Sequence, residues 1–247
     1  MKKINYFIYF IIFNILWLAL SKTLRLRVFP SPIDVYLSWD KALKNGVLGH
    51  IAASVSRTLI SLSAALFIAL VAGILMGYSR RADKLLSPIT YLSYPVPKLA
   101  LMPIIMLLFG IGELSKIIIT ALIIVFQLII SIRDAVRQIP EEDYDLFTSL
   151  NASHWNRFRH ITIPAALPAI FSSLRVSAGT AISVLMIAES YGTTRGLGFY
   201  IIDTWMRADY IQMYFGIFCL AAIGFLIFTA LDAAQARFCK GQGGQYP

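Results

Sequence analysis

Apolar residues fall in six long stretches, at about 4–21, 55–78, 97–112, 114–132, 169–190 and 211–234, divided by short polar segments. A helix needs about 20 residues to cross a ~30 Å hydrocarbon core. Some stretches reach that length only by recruiting less hydrophobic neighbours, and the third and fourth are short and nearly fused. The pattern predicts an all-α, polytopic membrane protein with about six transmembrane helices.

One segment departs from this alternation. Ile139 to Pro168, IPEEDYDLFTSLNASHWNRFRHITIPAALP, is a long polar, charge-mixed insert between apolar neighbours. Pro140 followed by Glu141, Glu142 and Asp143 predicts a helix start, where proline fits and the helix dipole favours negative charge. Asn151 stands where that helix must stop, since asparagine tolerates the left-handed conformation of a helix C-terminus. Ser153 then serves as the N-cap of a second short helix ending before Pro164. On the first helix Tyr144, Phe147 and Leu150 recur every three residues, with Asp145 and Ser149 beside them, which predicts a docking surface.

Two spans carry further signals. Ala69, Gly73 and Gly77 form a small-residue stripe on the second, either for packing within the chain or for a seam between two copies. The third opens on Pro95-Val96-Pro97, contains Pro103 and breaks at Gly110 and Gly112. Pro95 and Pro97 mark a helix start, whereas Pro103 is the candidate for a kink beside a wet pathway.

Composition reinforces the membrane class: 58% of residues are hydrophobic and 14% charged, against ~45–50% apolar and ~25% charged in soluble domains. The net charge of +9 is scattered over loops and termini and not gathered on a stripe, so no nucleic-acid partner is expected. The basic residues favour cytoplasmic N- and C-termini only weakly, because Lys22, Arg25, Arg27, Lys41 and Lys44 sit in the first external loop. Lys2 and Lys3 precede an apolar run that lacks a small-x-small cleavage site, and the reading is a retained first span.

Little here points to covalent chemistry. Cys219 and Cys239 lack paired spacing, and His50, His154 and His160 lack metal-site spacing, so these histidines read as solvated or helix-capping. No Gly-Lys pair exists in the chain, which excludes an ATP-binding P-loop. Asn151-Ala152-Ser153 matches a glycosylation triplet by chance. Ionisable groups near the spans are Arg57, Glu113, Lys116, Arg175, Glu189 and Asp232, most of them at span ends where snorkelling accounts for them. Glu189, ending the fifth span, is either a gate or substrate-facing group, or a structural ion pair or cap.

Within the polar insert, Asp145, Leu146, Phe147 and Asn151, followed by Ile161 and Pro164, resemble the EAA loop of bacterial ABC importer permeases. The usual loop reads Glu-Ala-Ala and then Gly, so this chain departs at four positions. Tyr94 to Lys116, YPVPKLALMPIIMLLFGIGELSK, is similar to a segment of the nitrate/taurine/sulfonate (SsuC-like) branch. Ala188 to Ser190 with Gly196 to Ile201, and PSPIDV at Pro30 to Val35, resemble the same branch, so the matches span roughly residues 30 to 235.

The resemblance implies a type I ABC importer (MetI-like) permease fold in the bacterial cytoplasmic membrane, surrounded by lipid. It implies a first helix and external loop over 1–53, a permease core over 54–236 with its coupling loop at 139–168, and a tail over 237–247. The implied partners are two ABC ATPase subunits, a periplasmic or lipid-anchored solute-binding protein, and a second permease copy as a homodimer. No cofactor is expected in this chain, with ATP and Mg on the ATPase subunits. Glu142, Tyr144, Asp145, Leu146, Phe147, Leu150, Asn151, Ile161 and Pro164 would form the ATPase-docking unit, and closure of the ATPase pair would move helix 141–150 as a rigid body. Near the pathway the candidates are Pro103, Glu113 and, close to its external mouth, Glu189. The solute would be a sulfonate-, taurine- or nitrate-like anion or a vitamin precursor.

Two other classes compete. An ion-driven secondary carrier should show inverted halves with matching broken helices, whereas this sequence shows one broken helix and no repeat. An intramembrane hydrolase using Ser183 or Ser190 would need a histidine at membrane depth, and none is there.

Overall fold

The computed structural model describes residues 2–93, 95–149 and 151–239. Twelve α-helices follow one another among these residues: α1 Lys2–Leu24, α2 Pro32–Leu37, α3 Trp39–Lys44, α4 Val47–Tyr78, α5 Arg80–Ser93, α6 Met102–Phe109, α7 Glu113–Arg137, α8 Glu141–Ser149, α9 His154–Arg157, α10 Ile163–Glu189, α11 Leu197–Met206 and α12 Tyr210–Phe238. A 3₁₀ turn, Lys98–Leu101, leads into α6, and a π turn, Phe158–Thr162, joins α9 to α10.

Among the described residues, four helices are long and apolar enough to cross a membrane: α4, α7, α12 and the continuous run Trp155–Glu189. A fifth crossing exists if α5 and Lys98–Phe109 are taken as one span bent by 83°, and α1 contributes the shorter apolar helix Ile8–Leu24. The third expected span, 97–112, does not form as one helix. Its helical part, α6, has 8 residues, about 12 Å at 1.5 Å per residue. Gly110, at φ 81°, stops it. Pro103 lies in the first turn of α6, where proline costs no hydrogen bond. The mid-span kink expected at Pro103 is therefore absent.

The chain divides into two compact units, Met1–Val55 with Glu189–Ala222, and Ser56–Ala188 with Ile223–Pro247. Residues 1–53 are thus grouped with a later segment. In this first unit Trp17, Tyr36, Tyr214 and Phe218 form an aromatic cluster with centroid separations of 5.1–6.3 Å. Buried Gln212 ties α12 to the loop before α3 through Ser38 O (3.3 Å) and accepts from the Tyr200 hydroxyl (2.5 Å).

The second unit is built on α4, α7 and α10. Its core places Leu62, Ala65, Ala69 and Met76 of α4 with Leu128, Ile129 and Ile132 of α7 and Ile170, Leu174 and Ala178 of α10. The small-residue stripe on α4 is what lets α7 approach. A Cβ on Gly73 would lie 2.9 Å from Ile129 O and from Ile132 Cβ, and one on Gly77 would lie 2.6 Å from Val136 Cβ. Of the two readings of that stripe, packing within the chain is the one observed. Asp83 of α5 pairs with Arg137 (2.8 Å) and Arg133 (3.7 Å), both of α7.

Candidate functional site

The polar insert folds as a helix, a tight turn and a second helix. α8 begins after Pro140 with three acids in its first turn. Asn151 adopts φ 52°, and Ala152 N–H donates to Phe147 O at 2.9 Å, the six-to-one bond of a Schellman stop. Ser153 caps the next helix, its Oγ accepting from Asn156 N–H at 3.3 Å. Because asparagine pays little for a left-handed residue, Asn151→Gly should leave the melting temperature unchanged or slightly raised. Asn151→Val should cost about 1–2 kcal/mol, read in the same melting experiment.

The second helix does not end before Pro164, as the sequence suggests. Ile163 N–H bonds to Phe158 O across five residues, and α10 continues from there. A proline ring clashes with the carbonyl four residues earlier, and the wider π turn places that carbonyl out of the way. Ile161 is buried and Pro164 partly buried at the base of the loop.

The proposed docking face is split by the structure. Glu142 and Asp145 are exposed and Phe147 is half-buried, while Leu146 lies on α8 and Leu150 falls outside the described residues. Tyr144 turns inward: its hydroxyl lies 2.9 Å from Thr162 Oγ1, and burial pushes its pKa up to about 12. Tyr78, Tyr144, Arg80, Lys84, Arg137 and Arg157 line a cleft of about 990 Å³ beside the loop.

Glu189 is fully buried. Its carboxylate accepts from Ser54 Oγ (2.7 and 2.8 Å) and from Gly198 N–H (2.9 Å). Ser54 Oγ in turn accepts from Leu197 N–H at 2.8 Å, and Gly196 N–H donates to His50 Nδ1 at 3.2 Å. These groups cap the first turn of α11, where unpaired amides and the helix dipole favour an anion. Of the two readings of Glu189, the cap is the one the geometry supports, and His50 proves to be a capping residue also.

Snorkelling does not describe Arg57 or Lys116, which are 1% and 0% exposed. Arg57 makes a two-pronged ion pair with Glu113, whose side chain is 64% exposed. Lys116 Nζ donates to Gly112 O at 3.0 Å. Ser54, Arg57, Thr58 and Ser61 are all buried on α4. Their i, i+3, i+4, i+7 spacing is the sequence signal for a buried polar face on this helix.

The model of the family "binding-protein-dependent transport system inner membrane component" matches residues 65–241. The chain belongs to this family. It is 35% identical over 196 residues to the taurine transport system permease protein TauC of Escherichia coli, covering 78% of this chain and 70% of that one. It is 30% identical over 214 residues to the putative aliphatic sulfonates transport permease protein SsuC of Bacillus subtilis, covering 86% and 78%. Among solved structures, a chain of the MetNI methionine ABC transporter in an inward-facing conformation superposes with a TM-score of 0.68 at 18% identity, covering 78% of this chain and 95% of that one. The permease is thus a multi-pass inner-membrane transport subunit of the type I importer fold and not an enzyme. Its family implies ATPase and solute-binding partners, with ATP hydrolysis on a separate subunit. The carrier and hydrolase readings are set aside.

Proposed function

We propose that this permease works as a homodimer, moves a small anion of the sulfonate or taurine kind, and couples to two ATPase subunits through α8. Relatives of the chain are permeases for taurine, aliphatic sulfonates, formylaminopyrimidine and bicarbonate, and of these four the taurine and sulfonate permeases, at 35% and 30% identity, favour the sulfonate class. The observation that carries the coupling reading is the insert itself, a short acidic helix with exposed Glu142 and Asp145 ending on a left-handed Asn151. ATP and Mg would sit on the ATPase subunits, with Phe147 and its neighbours in a cleft of that partner. Glu113, exposed at the start of α7, remains the pathway candidate. Both termini and the insert would face the cytoplasm, with the solute-binding protein outside.

The test uses single cysteines in a chain carrying Cys219→Ala and Cys239→Ala. A cysteine at exposed Asp145 should react with an impermeant maleimide only in inside-out vesicles, and one at exposed Leu37 only in right-side-out cells. The opposite pattern would invert the topology and remove α8 from the ATPase. In the same preparation the isolated permease should hydrolyse no ATP, and activity should appear only with its ATPase subunit.

A further inference from the structure

Three-residue spacing groups Tyr144 with Phe147 and Leu150 for docking, but the structure gives Tyr144 a different set of neighbours. Its hydroxyl meets Thr162 Oγ1 at 2.9 Å, and Thr162 is 1% exposed at the root of α10. The hydroxyl of Tyr78, the last residue of α4, hydrogen-bonds the same Oγ1. A threonine hydroxyl has one donor and two acceptor sites, so it can serve both tyrosines at once. The rings reinforce this node: Tyr78 lies edge-on to Tyr144 at 6.3 Å, and Phe158 of the π turn lies 6.3 Å from Tyr78 and 5.5 Å from Trp155.

We infer that Tyr144 is a strut, a positioning residue that carries movement of α8 to the end of α4 and the root of α10, and is not part of the surface a partner grips. The inference rests on the reading of α8 as the ATPase-docking helix. A helix of 9 residues has little rigidity of its own, and at its C-terminal end the chain reverses in a single left-handed residue. A push on α8 would be lost in bending that turn unless side chains brace the helix against the spans. Tyr144 braces it with a stiff ring and a directional hydrogen bond that joins three elements at one oxygen. A phenol stays protonated at physiological pH, so the hydroxyl keeps its donor.

The experiment uses the complete transporter, permease with its ATPase subunit, in the chain carrying Cys219→Ala and Cys239→Ala. Tyr191→Cys, exposed just beyond the end of α10, reports the state of the spans through its rate of reaction with an impermeant maleimide, before and after trapping with Mg·ATP and orthovanadate. The reference protein should show a clear change of rate on trapping. Tyr144→Phe should bind the same amount of ATPase and trap the same amount of nucleotide, yet the rate change should shrink by about twofold to tenfold, the equivalent of one neutral hydrogen bond. Thr162→Val should reproduce this, Thr162→Ser should restore the reference response, and combining Tyr144→Phe with Thr162→Val should be no worse than either alone.

Loss of ATPase from Tyr144→Phe would overturn the inference by showing that Tyr144 grips the partner. A full rate change in Tyr144→Phe, or a Thr162→Ser protein as impaired as Thr162→Val, would overturn it by showing that the hydroxyl node carries nothing. A reference protein that binds ATPase but shows no rate change would refute coupling through α8 itself, and the strut with it.

Discussion

Gly196→Ala is expected to lower the melting temperature of the detergent-solubilised permease by roughly 6–12 °C. Gly196 has φ 126°, a backbone region that only glycine enters cheaply, and a Cβ there would run into the carboxylate of Glu189. Strain of about 1–3 kcal/mol and overpacking of similar size add to roughly 3 kcal/mol, and a chain of this length loses about 2–4 °C per kcal/mol. Relief is blocked because the carboxylate is held by Ser54 and Gly198. Two controls isolate the cause. Gly110 has φ 81° but open space around it, and Gly112 has an extended backbone with nothing within 4 Å of its would-be Cβ. Gly110→Ala should fall between, and Gly112→Ala should melt as the parent does. Equal melting of all three would show that the α11 cap is not a tight joint.

Phe147→Ala is expected to weaken ATPase association about thirtyfold and to abolish transport, while the isolated permease keeps its fold and loses only a few degrees of melting temperature. Truncating a buried aromatic anchor at an interface commonly costs about 2 kcal/mol or more. Phe147 is half-buried in the chain alone, so part of the ring is left for a partner. Co-purification of the ATPase subunit, scored beside uptake and melting, checks it. Full association and transport would make α8 an ordinary surface helix. Tyr144→Phe should separate from Phe147→Ala, the first keeping association and the second losing it.

Much of the fold was legible because membrane helices write themselves in hydrophobicity, and α4, α7, the long α10 run and α12 all lie where apolar length placed them. Local backbone grammar was legible too. Asn151 is left-handed and Ser153 caps its helix, since both depend on residue type within a few positions. What failed depended on neighbours far along the chain. Spacing put Tyr144 and Phe147 on one face, but the buried hydroxyl of Thr162, 18 residues on, decides where Tyr144 points. Pro103 and Pro164 look alike as interruptions of apolar runs, yet one opens a short helix and the other follows a π turn. Arg57 read as a snorkelling end group because its partner Glu113 lies 56 residues away. The α4 stripe stayed ambiguous until Ile129, Ile132 and Val136 of α7 were seen against it.

The π turn at Phe158–Thr162 also fixes an angle. It accommodates one residue more than an α-helical turn would, and each residue of helix corresponds to a rotation of about 100°. The azimuth of α8 around the axis of α10 is therefore set by a residue count. A chain shortened by one residue there would lose one side chain of the loop and aim the others about 100° away from where they now point. What the loop is made of and where it is aimed are separate properties of this permease, and a one-residue deletion would change the second far more than the first.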